Sequence, residues 1–157
     1  MYLPGLLEQG SGHIVNTAST AGLYAYSFER LPYSASKGAV IAISEALALY
    51  CRPRGIGVTV LCPGPVVTNI AEQVQTFGEL GTVHGPGSLI PLDPSVVGDQ
   101  VVDAIRRNVF LLPTHPEVHT TLVERAQDPE GFIVRQIASL AEQDAEWATS
   151  TGDRDRP

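Results

Sequence analysis

Lys37 is the only lysine in a chain whose other nine basic residues are arginines. Arginine serves wherever a generic positive charge suffices, so a solitary ammonium marks work that a rigid, permanently charged fork does badly. Tyr33 stands four residues before it, and an i,i+4 pair on one helix face brings Cβ atoms to roughly 5–6 Å. An ammonium beside a phenol favours the phenolate, which makes a tyrosine able to exchange protons near neutral pH. Hydroxyls at the ends of two apolar runs complete the candidates: Ser19 or Thr20 after Ile14–Ala18, and Thr68 after Val58–Cys62 and the Pro63-Gly64 turn. Each element alone has a bland account. A lone Tyr-x-x-x-Lys is usually a surface pair, and hydroxyls at strand ends commonly satisfy turns.

Other chemistries fit less well. Ser34-x-x-Lys37 matches the Ser-x-x-Lys of penicillin-recognising acylases, but those also need Lys-Thr-Gly and Ser-Asp-Asn, and neither occurs. His115 and His119 share the i,i+4 spacing of metal ligands. No glutamate follows His115 as HExxH requires, so both are expected to be exposed residues at a helix start, and no metal site is expected. His13 and His84 are isolated and read as structural. Cys51 and Cys62 form no CxxC and read as free buried thiols in a reducing compartment.

The elements that must position these residues follow from patterning. At 157 residues with 43% hydrophobic and 17% charged residues, the chain is one globular domain by length and composition. A formal charge of −7 without a basic cluster argues against nucleic acid or an anionic membrane as partner. The start lacks the basic and apolar regions of a signal peptide. The most apolar stretch, Ala39–Tyr50, carries Glu45 and is too short to span a bilayer, so a soluble cytoplasmic protein is expected. Tyr2–Gln9 reads as the end of a helix closed by Gly10-Ser11-Gly12. Ile14–Ala18 reads as a strand buried on both faces, and Leu23–Pro32 as a loop whose Tyr24, Tyr26 and Phe28 line a site or simply pack. Ser34–Cys51 is a helix apolar nearly all round. Its stripe Val40, Ile43, Leu47 and Tyr50 is expected on the sheet, with Ile41, Ala48 and Leu49 left for a partner subunit. Val58–Cys62 makes a second buried strand, and Thr68 is also a candidate N-cap for a helix from Asn69 to Phe77. Residues 78–93, rich in Gly and Pro, read as a mobile loop. A helix then starts at Asp93-Pro94 with Val97, Val101, Ala104 and Ile105 inward, and Val109–Leu112 is a last short strand. Helices over 117–149 carry Phe132, Ile133, Ile137, Leu140 and Ala141 at helical spacing, and Gly152–Pro157 is expected to fray.

Strand–Ser, Tyr-x-x-x-Lys and strand–Pro-Gly-x-x-x-Thr, in that order between residues 12 and 68, closely resemble the second half of the short-chain dehydrogenase/reductase family. The resemblance implies an α/β fold, the C-terminal part of a Rossmann-like doubly wound parallel sheet with helices on both faces. Residues 1–116 would form the catalytic half, 117–150 a helical extension and 151–157 a disordered tail. The implied activity is hydride transfer between NAD or NADP and a carbonyl or secondary alcohol of a small molecule. Tyr33 would exchange the proton, Lys37 would tune the phenol and hold the nicotinamide ribose hydroxyls, and Ser19 would hydrogen-bond the substrate oxygen. Ser19 is preferred to Thr20 because the family serine is followed by two residues and a glycine, here Gly22, and because it lies fourteen positions before Tyr33. Pro63 and Gly64 would let the backbone approach the cofactor, Val66 would pair with its carboxamide, and Thr68 would contact the same end.

The family's usual dimer makes the helix 34–51 an expected homo-oligomer interface. The family's first half, with its glycine-rich phosphate turn and a catalytic asparagine, would lie before residue 1. No Gly-x-x-x-Gly-x-Gly or Gly-x-Gly-x-x-Gly follows a strand in this chain. The chain also has Leu112-Pro113-Thr114-His115-Pro116 where many members carry Gly-Gly. The rival expectation is a truncated, non-catalytic remnant, or a module that pairs with a complete dehydrogenase through the same helix.

Overall fold

Continuous β-branched residues make Ile56–Cys62 (β2) the centre of a three-stranded parallel sheet. This computed structural model describes residues 2–73, 82–87 and 89–152. Gly12–Thr17 (β1) pairs with β2 in the register Gly12↔Ile56 to Thr17↔Leu61, and Leu111–Pro113 (β3) pairs on the other side from Val60↔Leu111. All seven residues of β2 are buried, whereas β1, an outer strand of the described sheet, is only half-buried. The expectation that β1 is buried on both faces is therefore corrected. The third strand starts two residues later than expected. Backbone bonding begins before it, because Val60 N–H donates to Phe110 O at 2.7 Å.

The helices are Leu3–Gln9 (α1), Thr20–Leu23 (α2), Leu31–Cys51 (α3), Pro94–Arg106 (α4), Glu117–Gln127 (α5) and Pro129–Gly152 (α6). Gly10 closes α1 in the left-handed conformation that glycine adopts most cheaply. α1 and α3 bury Leu3, Leu6, Leu7, Leu47, Ala48 and Cys51 against Ile14, Ile56 and Val58. Val40 and Ile41 meet Ala18, Val60 and Cys62 nearer the strands' carboxyl ends.

The phase of α3 differs from the expected one. Ser44, Ala48 and Cys51 are its buried residues, Ile41 packs on the core, and Ile43 and Tyr50 are 63% and 47% exposed. With apolar residues nearly all round, hydrophobicity cannot set the rotation of the helix. Small side chains set it instead, since Ser44 and Ala48 allow close approach to the sheet. The Ser44 hydroxyl is satisfied there, donating to Val40 O at 2.6 Å and accepting from Asn16 Nδ2 at 3.0 Å.

α4 packs on β2 and buries Ala104, but Ile105 is exposed rather than inward. In α6 only Phe132 of the expected set is buried, packing with Tyr24 and Val118, while Ile133, Ile137 and Ala141 face out. The tail thereby closes on the aromatic loop after α2, not on the sheet. Helix α6 runs through Gly152, two residues into the expected tail, and 153–157 lie outside the described residues. Asn69–Gln73 is a short 3-10 turn, and the remainder of the helix expected there lies outside the described residues.

Candidate active site

The carboxyl ends of β1 and β2 open into one cavity of about 710 Å³, the place where parallel α/β sheets bind ligands. Ser19, Tyr33, Lys37, Pro63, Gly64, Val66 and Thr68 all line it, so the geometry brings together every residue expected there.

β1 delivers Ser19, which caps α2: its Oγ accepts from Ala21 N–H at 3.2 Å and donates at a long 3.5 Å to Pro63 O. Thr20 lines the same cavity and is buried, its N–H also donating to Pro63 O at 2.9 Å. α2 lies tightly on α3. A Cβ built on Gly22 would sit 2.6 Å from the carbonyl carbon of Lys37 and 2.8 Å from Gly38 N. Only a residue without a side chain permits this approach, which fixes the end of β1 against the first turns of α3.

α3 delivers Tyr33 and Lys37 one turn apart. It begins three residues before the expected start because Pro32 suits a first-turn position, where no N–H is required. Tyr33 is 42% exposed towards the cavity, and the Lys37 ammonium lies 5.7 Å from its ring centroid. Lys37 Nζ also donates to Thr17 O at 3.3 Å, and no carboxylate pairs with it among the described residues.

β2 delivers Pro63-Gly64, held by a device the sequence did not announce. Gly64 N–H donates to Thr114 Oγ1 at 3.0 Å, Thr114 Oγ1 meets His115 Nδ1 at 2.9 Å, and His115 Nε2 meets Ile90 O at 2.8 Å. A carbonyl only accepts, so Nε2 carries a proton and a neutral ring leaves Nδ1 to accept from the Thr114 hydroxyl. His115 is buried, not exposed. It packs on Gly64, where a Cβ would come within 2.5 Å of Nδ1. His119 is exposed as expected. Beyond the turn, Val67 N–H donates to Leu92 O and Leu92 N–H to Pro65 O. That bridge leaves the N–H and C=O of Val66 without a partner among the described residues. Thr68 forms no side-chain cap on Asn69–Gln73 among those residues. Below the turn, burial pushes the Cys62 thiol up to about 11, so it stays protonated.

The far wall holds Tyr26 from the aromatic loop, Pro86 from the Gly/Pro-rich loop, and Arg30, which the sequence did not single out. Burial raises the Tyr26 phenol, against the lowering effect of Arg30. Pro86 follows His84, which is buried between Glu29, in contact with Nδ1, and Asp144, 3.2 Å from Nε2. Ser27 Oγ also donates to Glu29. The described part of the 78–93 loop is thus tied at His84, at Gly85 (N–H to Gln143 Oε1, 2.9 Å), at Ile90 and at Leu92. Among the described residues no cluster of three metal-ligating side chains occurs, and no helix is long and apolar enough to cross a membrane.

The family model for short chain dehydrogenases matches residues 1–78. Glycine betaine reductase ATRR of Emericella nidulans is 32% identical over 133 residues, 81% of this chain and 10% of that protein. The uncharacterized oxidoreductase YbbO of Escherichia coli is 38% identical over 101 residues, 63% of this chain and 37% of that one. A solved short chain dehydrogenase/reductase from Burkholderia phymatum, in complex with NAD, is 31% identical with a TM-score of 0.64, covering 82% of this chain and 52% of that one. The chain therefore spans well under half of these curated relatives and about half of the solved one.

Proposed function

This chain belongs to the short-chain dehydrogenase/reductase family, and from that premise we propose that its cavity carries out hydride transfer between a nicotinamide dinucleotide and a carbonyl or secondary alcohol, with Tyr33 as the acid/base group. One observation carries the reading: Ser19, Tyr33 and Lys37, arriving from β1 and α3, face the same cavity as the Pro63–Thr68 turn.

The residues present suit the nicotinamide end of such a cofactor. Val66 offers an N–H and a C=O that are unpaired among the described residues, the complement of a carboxamide. Lys37 offers an ammonium engaged, among the described residues, with Thr17 O and the face of Tyr33. When bound, the nicotinamide supplies or accepts the hydride. In the reducing direction Tyr33 Oη gives its proton to the substrate oxygen as the adjacent carbon gains the hydride; in the oxidising direction it takes that proton back. Lys37 beside the ring stabilises the charge left on the phenolic oxygen and holds ribose hydroxyls. The Ser19 hydroxyl has only the long contact to Pro63 O to give up before it donates to the substrate oxygen. The Thr114–His115 pair keeps Gly64 close, so the turn keeps its shape under the cofactor.

NAD or NADP both fit this reading, since the groups that discriminate between them act at the adenosine end. Cys51 and Cys62, both free and buried, agree with a reducing cytoplasmic setting. The outward side of α3 is our candidate for self-association.

Because the chain spans 52% of the Burkholderia phymatum relative, the test joins it to the other half of that protein and measures ketone reduction with NADH and NADPH. Turnover that Tyr33→Phe abolishes, with cofactor affinity within a few-fold, is expected. Turnover within tenfold of the parent would sink the assignment.

A further inference from the structure

In a chain of formal charge −7, the described residues that line the cavity include two cations, Arg30 and Lys37, and no carboxylate. Lys37 has a place in the reaction proposed above; Arg30 has none. It occupies the N-cap position of α3, three residues before Tyr33, so Arg30 and Lys37 bracket the tyrosine along one side of the helix. At a rise of about 1.5 Å per residue their Cα atoms lie roughly 10 Å apart along the axis, too far for one cation to substitute for the other.

Among the described residues the guanidinium has no carboxylate partner, for a visible reason. Its neighbour in sequence, Glu29, is engaged by His84 and Ser27, and Asp93, beside the lining residue Pro94, is engaged by Ser95. What Arg30 does contact is the face of Tyr26, with Cζ 5.8 Å from the ring centroid. A cation over a ring face at this distance gains attraction from the ring while its N–H fork stays available to take two oxygens of one anion. Half-buried against the cavity wall, the cation meets less screening than one in bulk water, and the positive end of the α3 dipole adds to its field.

We propose that Arg30 receives an anionic group of the substrate, so that the molecule whose carbonyl or hydroxyl meets Tyr33 is an oxo or hydroxy acid rather than a neutral ketone or alcohol. This rests on the oxidoreductase function proposed for the same cavity. The balance is that of the reaction above: an oxo acid, a hydride from the reduced nicotinamide and one proton from Tyr33 give the hydroxy acid. The carboxylate stays ionised on Arg30 throughout.

The test uses the full 157-residue chain, isotopically labelled, and follows the Arg30 side-chain Nε–H, the Tyr33 amide and the Val66 amide by NMR. The probes are 2-oxopentanoate and 4-oxopentanoate, each paired with its neutral methyl ester. At least one acid is expected to shift Arg30 and Tyr33 at a concentration tenfold or more below its ester. Arg30→Gln is expected to erase that preference and Arg30→Lys to keep part of it. Acids and esters that titrate alike, or a preference that survives in Arg30→Gln, overturn the proposal. If Arg30→Gln does not fold, the parent's acid-to-ester ratio, with Arg30→Lys and its loss in 0.5 M salt as roughly expected from screening, decides instead.

Reduced nicotinamide mononucleotide separates this failure from failure of the premise. If it shifts Val66 while acid and ester are indistinguishable, the oxidoreductase function stands and the Arg30 assignment falls. If it shifts nothing while the acid preference holds, the oxo-acid substrate falls with the oxidoreductase function, and Arg30 is left as a receptor for some other anion.

Discussion

Residues 12–68 and residues 82–144 meet at one cavity and are held there by different means. In the first, strand register and helical turns set the frame: β1 and β2 end side by side, and Tyr33 and Lys37 lie one turn apart. In the second, β3 and α4 continue that frame, but the segment from His84 to Leu92 hangs on polar side chains that reach across the sequence. His84 joins Glu29, 55 positions earlier, and Gln143 takes the Gly85 N–H from 58 positions later. His115 ties the Gly64 turn to Ile90 O. Backbone order makes the first region rigid. The segment from His84 to Leu92 is tied mainly by such hydrogen bonds, contacts of the kind that open locally at low cost.

If the comparison holds, chemistry fails in the first region and adaptability changes in the second. The largest effect is expected at Lys37. In the joined protein described above, Lys37→Arg is expected to lower kcat/KM by about a hundredfold or more, because the guanidinium fork replaces a compact ammonium. His84→Gln in the same protein is expected to change kcat by no more than a few-fold. Equal losses from the two substitutions, measured under identical conditions, would erase the distinction between the regions.

A second contrast uses two glycines. Gly22→Ala places a methyl group 2.6 Å from the Lys37 carbonyl carbon, and backbone cannot yield as a side chain can. Overpacking of that kind is expected to destabilise the chain by about 1–3 kcal/mol. Gly85 has nothing within 4 Å of a built Cβ, so Gly85→Ala is expected to stay within about 0.5 kcal/mol of the parent. Thermal or denaturant melts of both variants decide this, and a neutral Gly22→Ala would mean that α2 does not need its close seat on α3.

The third contrast is with pH. The hydrogen bond that His84 donates to Glu29 raises the imidazole above 6.5 despite burial, with the charges of Glu29 and Asp144 adding to it. Burial pushes Glu29 up, but its bonds to Ser27 and His84 outweigh that and hold it below 4.5. A raised histidine stabilises fully below its unfolded value and loses that contribution as pH rises through the folded one. A lowered carboxylate contributes above its unfolded value and loses it as pH falls. The clasp should therefore be strongest between 4.5 and 6.5, the two ordinary values, and fade above neutrality. Its size is on the order of 1 kcal/mol, since both carboxylates are more than a third exposed. The melting difference between parent and Glu29→Gln, taken from pH 5 to 9, should shrink steadily. A constant difference would show that His84 does not titrate against Glu29.

The same division explains what could be read from the sequence. Tyr33 and Lys37 are placed by the helical period and the strand ends by short apolar runs, which survive in a one-dimensional string; the choice of Ser19 and the roles of Pro63, Gly64, Val66 and Thr68 come with the family resemblance. Arg30 stands three residues before Tyr33, but one of nine arginines carries no mark in the sequence that sets it apart. His84 and His115 were not legible: their partners lie in other elements, and a lone histidine carries no mark of whether it will be buried. The rotation of α3 failed for a different reason. Apolar residues surround the helix, so its phase was set by the small Ser44 and Ala48 at the point of closest approach.

That corrected phase sharpens the smallest effect expected. The side of α3 turned away from the sheet carries Ile43, Leu49 and Tyr50, which are 63%, 77% and 47% exposed, while Ile41 and Ala48 belong to the core. Apolar side chains gathered on one exposed helix side mark a candidate interface. Self-association is expected, and Ile43→Lys with Leu49→Lys should weaken it. Neither side chain is buried in the isolated chain, so the change in its own stability should stay within about 0.5 kcal/mol. Ile41→Lys, by contrast, should unfold the protein rather than separate its copies, because it forces an ammonium among Ala18, Val60 and Cys62. Sedimentation of the parent and the three variants, with a melt of each, distinguishes the cases. A parent that sediments as a clean monomer, or an Ile41→Lys variant that stays folded while Ile43→Lys does not, would mean that the outward side of α3 is not what its exposure implies.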